Sequence, residues 1–409
     1  MYLSETIRRV VGAGALALVI FAAPAHAQMT DVEIGDDEVW EHQWTEMAFP
    51  AQFGPFRRNR VSALEERGTN IFANYNDDET GTLLSLYIYR PGNPSTAIWF
   101  DRALTAIDER GVTKADNYGE VDIEDLKIRR FIPSGGTKPS GLFAVLAVEG
   151  NRVRSTGVAL YRAGEWLVKV RISSVGLDVP QMDLLPKQTL NELPALNGLD
   201  QAPAQFILPC DTSFAPRGAE EITEDLTALA LSLALLKTKS FQNQVTSLLG
   251  GSTNANAPSY CREGPRNNQF NLYRRMSTTP AYSLAVGDAG FSIDVFPDKI
   301  ERFSGSDDEA AGSADIRDDE SQLDNPSTDA SEPYPVAREA TAPTPSQDGP
   351  VTYAVRTADG LEYTFYTPYR GLPNLDQLSQ SVNGARFATA SRPLEEGEEA
   401  TITLFTQPE

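Results

Sequence analysis

The sequence predicts an α+β protein: an antiparallel sheet with one packed helix in an N-terminal domain at 40–180, then a second α+β domain interrupted by a disordered acidic linker. Three observations carry that prediction. Residues 40–180 mostly alternate apolar and polar side chains at the period of strands. One helix-period stretch follows RPGNP at 90–94, and a run at 303–349 is acidic and poor in apolar residues.

The chain opens with Arg8 and Arg9, the apolar run VVGAGALALVIFAA and the small-residue site AHA ending at Ala27. These are the n-region, h-region and cleavage site of an exported precursor, so 1–27 reads as a signal peptide. The apolar run is too short and wrongly flanked to span a bilayer, and no cysteine near it could carry a lipid. An Arg pair also raises twin-arginine export, but no Ser or Thr directly precedes it. Ordinary secretion to the periplasm or medium is therefore expected, with no transmembrane anchor after cleavage.

Losing 1–27 removes Glu5, Arg8 and Arg9 and moves the formal charge from −22 to −23. Phosphate binding needs a basic footprint, so nucleic acid is not an expected partner. The charge is unevenly spread: residues 303–349 hold a net −10, with Arg317 and Arg338 as their only cations. Such a composition buries too little apolar surface to offset chain entropy and reads as a self-repelling, disordered linker. Its carboxylates lack ligand-loop spacing. Cys210 and Cys261 are the only cysteines, an even count for an oxidising compartment, and predict a disulfide.

Within 40–180, GTNIFANY and LSLYIYR flank the acidic NDDETG. An EF-hand loop wants Gly sixth and Glu twelfth, but counting from Asn74 gives Glu79 and Ser85, so a hairpin turn is the reading. Ala97, Phe100, Leu104 and Ile107 then recur at helical spacing, with Asn93 as cap and Gly111 as stop. Strands resume in DLKIRRFI, GLFAVLAVE, RVRSTGVALYR and EWLVKVRIS. Strands, a helix and then a meander place the helix on one face of the sheet. Over about 45–176 this element order resembles that of the PsbP-like proteins, which implies an exported single-sheet α/β domain and no particular activity.

Residues 126–176 carry a local net of +7 in this acidic chain. Alternation lets Trp166, Val168, Val170 and Ile172 face the helix, with Lys169 and Arg171 together on the opposite face. Arg152 and Arg154 share a face of the neighbouring strand, and Arg129 belongs to the same basic set. This face is either ordinary solvated surface or an anion site for envelope polymer, phosphate-bearing lipid or an acidic protein. RRNR at 57–60 is a candidate addition to it.

Residues 181–209 read as a Pro-containing connector. The second domain comprises 210–302 and 350–409: an apolar helix in EEITEDLTALALSLALLKTKSFQNQVTSLLGG, hairpins in AYSLAVGDAGFSIDVFP and VTYAVRTADGLEYTFYTPYR, a helix near 374–382 and strands at ARFATAS and ATITLFT. After export one histidine remains, His42, and there is no GxSxG, SxxK, Walker or GxGxxG pattern and no His/Cys metal cluster. No catalytic residue, metal or cofactor is assigned. The functional reading is a soluble, non-catalytic binding or accessory/scaffold protein of the envelope, with an unknown envelope protein or anionic polymer as partner. A carboxylate-based hydrolase of envelope glycans is the alternative, since two acids suffice for that chemistry.

Overall fold

Mostly antiparallel sheet, with few helices, is what the alternating segments build. The computed structural model describes residues 29–113, 126–149, 153–185, 189, 196–200, 202–212, 214, 216, 218–222, 259–267, 269–277, 279–297, 351–384, 386–391 and 401–404. All belong to the unit formed by Met1–Asp298 and Pro350–Glu409. The expected signal peptide, the expected linker at 303–349 and, from 223 on, the expected apolar helix lie outside the described residues.

The first sheet takes β1 (Thr30–Asp31), β4 (Gln52–Phe53), β5 (Phe56–Ala63), β6 (Asn70–Asp77), β7 (Thr82–Tyr89), β8 (Arg129–Phe131), β9 (Gly141–Ala147), β10 (Ser155–Ala163) and β11 (Trp166–Ser174). Its order is β1-β5-β6-β7-β11-β10-β9-β8, with β4 on β5; β2 (Trp40–Glu41) and β3 (Ala48–Phe49) pair separately. NDDETG is the β6–β7 turn. Asp77 accepts the Glu79 amide at 3.0 Å and the Thr80 hydroxyl, and Gly81 takes a φ of +60° that other residues avoid.

Between β7 and β8 runs α1 (Thr96–Thr113). It starts later than the expected Asn93 cap and continues through Gly111. Asn93 instead accepts the Ser95 amide at 3.0 Å and turns its own amide toward Ser283 and Asp294 of the second sheet. The expected stripe of Ala97, Phe100, Leu104 and Ile107 is buried, but so are Ile98, Trp99, Asp101, Arg102 and Ala103. A helix covered on so much of its circumference lies between two partners, here the first sheet and a second one.

Val168, Val170 and Ile172 do not face this helix. They pack with Met47, Phe49, Phe53, Met182 and Leu199, with Trp166 against the same cluster. Helix α1 takes the other face, against Leu142, Val158, Leu160 and Leu167. The N-terminal segment and the chain after β11, where α2 (Val179–Met182) lies, supply an apolar cover for the first face that strand alternation alone does not reveal.

The second sheet contains β12 (Leu208–Pro209), β13 (Glu220–Glu221), β14 (Tyr260–Glu263), β15 (Phe270–Arg275), β16 (Tyr282–Val286), β17 (Ser292–Pro297), β18 (Thr352–Asp359), β19 (Glu362–Arg370), β20 (Arg386–Ser391) and β21 (Ile402–Leu404). They run β12-β14-β15-β16-β17-β18-β19-β20-β21, with β13 on β19. Strands β17 and β18 stand on either side of 299–349 in sequence, yet pair from Ser292↔Ala358 to Pro297↔Tyr353. The Cys210–Cys261 disulfide joins the chain after β12 to β14, its parallel neighbour.

One face of this sheet is apolar and packs Leu284, Ile293, Val295 and Val355 with Leu378 of α3 (Leu375–Asn383), which Asn374 and Gln377 cap reciprocally. The other face is polar. Register puts Arg262, Tyr273, Ser283, Asp294 and Arg356 in one row across five strands. That row receives α1 and the loop before it.

Candidate functional site

Buried charge dominates the joint between the two sheets, and opposite charge or hydrogen bonds balance it. Asp101 of α1 accepts Arg262 Nη1 at 2.6 Å, Arg266 Nη2 at 3.1 Å and the Tyr273 hydroxyl at 2.9 Å. Asp294 accepts Arg356 Nη2 at 3.0 Å and the Ser283 hydroxyl at 2.6 Å. Burial and the neighbouring Asp101 carboxylate push the Tyr273 hydroxyl well above its ordinary range, so it stays a donor. These carboxylates hold the fold together.

Lys169 is a second such group, which corrects the expectation of an open cation beside Arg171. It is 2% exposed, pairs with the Asp288 carboxylate at 2.9 Å, and lies 4.6 Å from the Tyr87 ring centre. The reason is the helix placement above: its face is the one the second sheet covers. Arg129 is carried to the opposite face, opposite Phe143 in the register. It lies 4.5 Å over that ring and is ion-paired with Asp183. Arg154, exposed before β10, donates to the Gly176 carbonyl at 3.1 Å. Arg152 lies outside the described residues.

Arg171 is half-buried on the part of the face beyond α1. The register aligns it with Ser85, Asn74 and Arg60, so Arg60–Asn74–Ser85–Arg171 forms one row over four strands. Three strand spacings put the backbones of the two arginines about 14 Å apart. The next row holds Arg57, Asn76, Leu83 and Ser173. A register shift between Arg58 and Arg60 makes this possible. Without that bulge Arg57 and Arg60 would point to opposite faces; with it they share one, and Arg58 turns inward to the Phe49 carbonyl at 2.7 Å.

Arg57 and Arg60 are exposed, and Asn74, Asn76, Ser85, Tyr87 and Ser173 are half-buried. The Ser85 hydroxyl donates to Asn74 at 2.7 Å, and the Arg60 guanidinium lies 5.5 Å from the centre of the Phe72 ring, itself stacked on Tyr87. Guanidinium groups flanking amides and hydroxyls on an open sheet can accept a carboxylate, phosphate or sulfate through charge-assisted hydrogen bonds. Sequence reading missed Asn74, Asn76 and Ser85. The signal was available: placing the turn at 78–81 fixes Asn74 opposite Ser85.

His42 is 1% exposed, with Nδ1 2.8 Å from the Thr45 hydroxyl and Nε2 2.7 Å from the Gly68 carbonyl. The neutral ring donates from Nε2 and accepts at Nδ1. Burial holds its pKa below the ordinary 6.5, against the raising effects of the Gly68 bond and Glu65. The folded state therefore resists a proton that the unfolded chain takes up near 6.5. The His42 contribution to stability is complete above that pH and is lost as pH falls toward the lower folded value. Urea unfolding across this range should show the advantage of wild type over His42→Gln shrinking as pH falls; a pH-independent difference would contradict this assignment.

Among the described residues, one group has the make-up of metal ligands, Cys210, Cys261 and Glu263; its sulfurs form the disulfide and Glu263 pairs with Arg274 at 3.1 Å. No described helix is long and apolar enough to cross a membrane. No protein-family model matches the chain, and no curated protein sequence matches it.

Proposed function

We propose that this is an exported, non-catalytic binding protein of the cell envelope, acting in the periplasm or after secretion as an accessory or scaffold, and that it holds an anionic polymer on the face carrying Arg57, Arg60 and Arg171. The observation that carries this reading is the alignment of those arginines around Asn74, Asn76 and Ser85 on a half-open sheet. The disulfide and the export-type N-terminus support the location. The engagement of both His42 nitrogens and of Asp101 and Asp294 in internal bonds supports a binding role. We assign the fold to the α+β class, and the PsbP-like resemblance of 45–176 rests on its element order alone.

The test is a titration of the full chain with inorganic polyphosphate at several salt concentrations. Affinity should fall steeply as salt rises, because the face acts by charge and by counterion release. The double variant Arg60→Glu/Arg171→Glu should bind at least about tenfold more weakly, two charge reversals at close range. Salt-independent binding, or an unchanged affinity in the double variant, would overturn the reading.

A further inference from the structure

On β5 and β6 the basic face repeats one arrangement. Arg60 stands opposite Asn74 and Arg57 opposite Asn76, so a guanidinium lies beside a side-chain amide twice over. The two amides are two residues apart on one strand, which spaces the pairs by about 7 Å. Strand β7 completes each row, with Ser85 opposite Asn74 and Leu83 opposite Asn76.

The groups beside the two cations are neutral, and together they can both give and accept hydrogen bonds. The Ser85 hydroxyl donates to Asn74 Oδ1 at 2.7 Å, which fixes that amide's orientation. Two N–H donors on Asn74 and the lone pairs of Ser85 are left for a ligand. Asn76, half-buried, offers a carbonyl and an NH2 group. Leu83 beside it is 42% exposed and sets an apolar contact among the polar ones. Beyond this row the exposed Asp78 and Glu79 of the β6–β7 turn bring negative charge to that end of the face.

A densely charged chain of phosphates suits the arginines alone. Its oxygens only accept hydrogen bonds, so the acceptors of Asn76 and Ser85 would face other acceptors and lose their bonds to water without return. Leu83 would meet charge, and the acidic turn would repel the nearest phosphates. A sugar ring supplies what these groups lack: hydroxyls that donate as well as accept, an apolar C–H surface and, in a uronic acid, one carboxylate per ring. Guanidinium binds such a carboxylate through paired N–H bonds.

We infer that the basic face recognises an acidic polysaccharide of the uronic-acid class: its carboxylates meet Arg57 and Arg60, its hydroxyls meet Asn74, Asn76 and Ser85, and its C–H surface rests on Leu83. The inference rests on the binding reading above and names the class of polymer that reading calls for.

Titration of the full chain with oligogalacturonate, and separately with inorganic polyphosphate of matched total charge, tests it. Wild type should bind both, and should bind oligogalacturonate whose carboxyls have been reduced to alcohols at least about tenfold more weakly than the parent, since hydrogen bonds to a charged group are lost. The deciding readout is the ratio of oligogalacturonate to polyphosphate affinity, in which losses common to both ligands cancel. Asn76→Ala should lower that ratio about two- to tenfold, the range of one hydrogen bond. Leu83→Ser should lower it about threefold through lost apolar contact. Circular dichroism and thermal melts establish that each variant is folded, and Leu83→Ser decides the matter if Asn76→Ala is not. A ratio unmoved by both substitutions, equal binding of the reduced oligomer, or a wild type that binds polyphosphate but not oligogalacturonate would overturn the polysaccharide assignment and leave the basic face standing. A wild type that binds neither polyanion would overturn the basic-face reading and this inference with it.

Discussion

Replacing Asp101 with Ala is expected to destabilise the protein by about 3–5 kcal/mol, the cost of removing one partner from a buried ion pair. Asp101 is 3% exposed and accepts from two guanidinium groups, while Tyr273 and Asn271 satisfy its other oxygen at 2.9 and 3.5 Å. The substitution leaves Arg262, itself 8% exposed, without its counter-charge in the joint between α1 and the second sheet. Replacing Asp101, Arg262 and Arg266 together by apolar residues of similar volume should recover much of the loss, because the uncompensated charge is then gone. Urea midpoints of the wild type, single and triple variants measure this. A loss below about 1 kcal/mol for Asp101→Ala would mean the joint is not held by this network.

The double substitution Cys210→Ser/Cys261→Ser should cost about 4 kcal/mol by the loop-closure model. The disulfide spans a sequence separation of 51 and ties the chain after β12 to β14. Reductant should lower the melting temperature of the wild type and leave that of the double variant unchanged. Identical melting of oxidised and reduced wild type would show that β12 and β14 are held by their strand pairing alone.

Local pattern made much of this protein legible. Alternation located the hairpin around NDDETG, the meander of β8 to β11 and the strands flanking 299–349, since each depends on side chains a few residues apart. The cysteine pair was readable from its even count together with the expected export. The layers were not readable. Nothing local says that Met47, Phe49 and Phe53 return to cover Val168 and Val170, and this long-range cover sends α1 to the other face. Asp101 and Arg102 lie off the apolar stripe of α1, and nothing near them in sequence shows that they are buried, because their partners Arg262, Asn267 and Tyr273 stand some 160 residues later.

The candidate site was partly legible for the same reason. Lys169 and Arg171 do share a face, as period two requires, but burial by the β16–β17 turn separates their fates. Arg57 and Arg60 join Arg171 only through a bulge and a register, and a one-residue slip would send them elsewhere. Charge counting found the basic region. Burial took Lys169 out of it, and the strand register carried Arg129 to the other face.

In-cell photo-cross-linking from a photoreactive residue placed at Asn76 tests whether the face of Arg57, Arg60 and Arg171 holds an anionic envelope polymer, as proposed. A heterogeneous, high-mass adduct that carries anionic polymer is expected, and it should disappear when Arg57 and Arg60 are both changed to Glu. No adduct from Asn76, or an adduct that survives those charge reversals, would contradict the proposal.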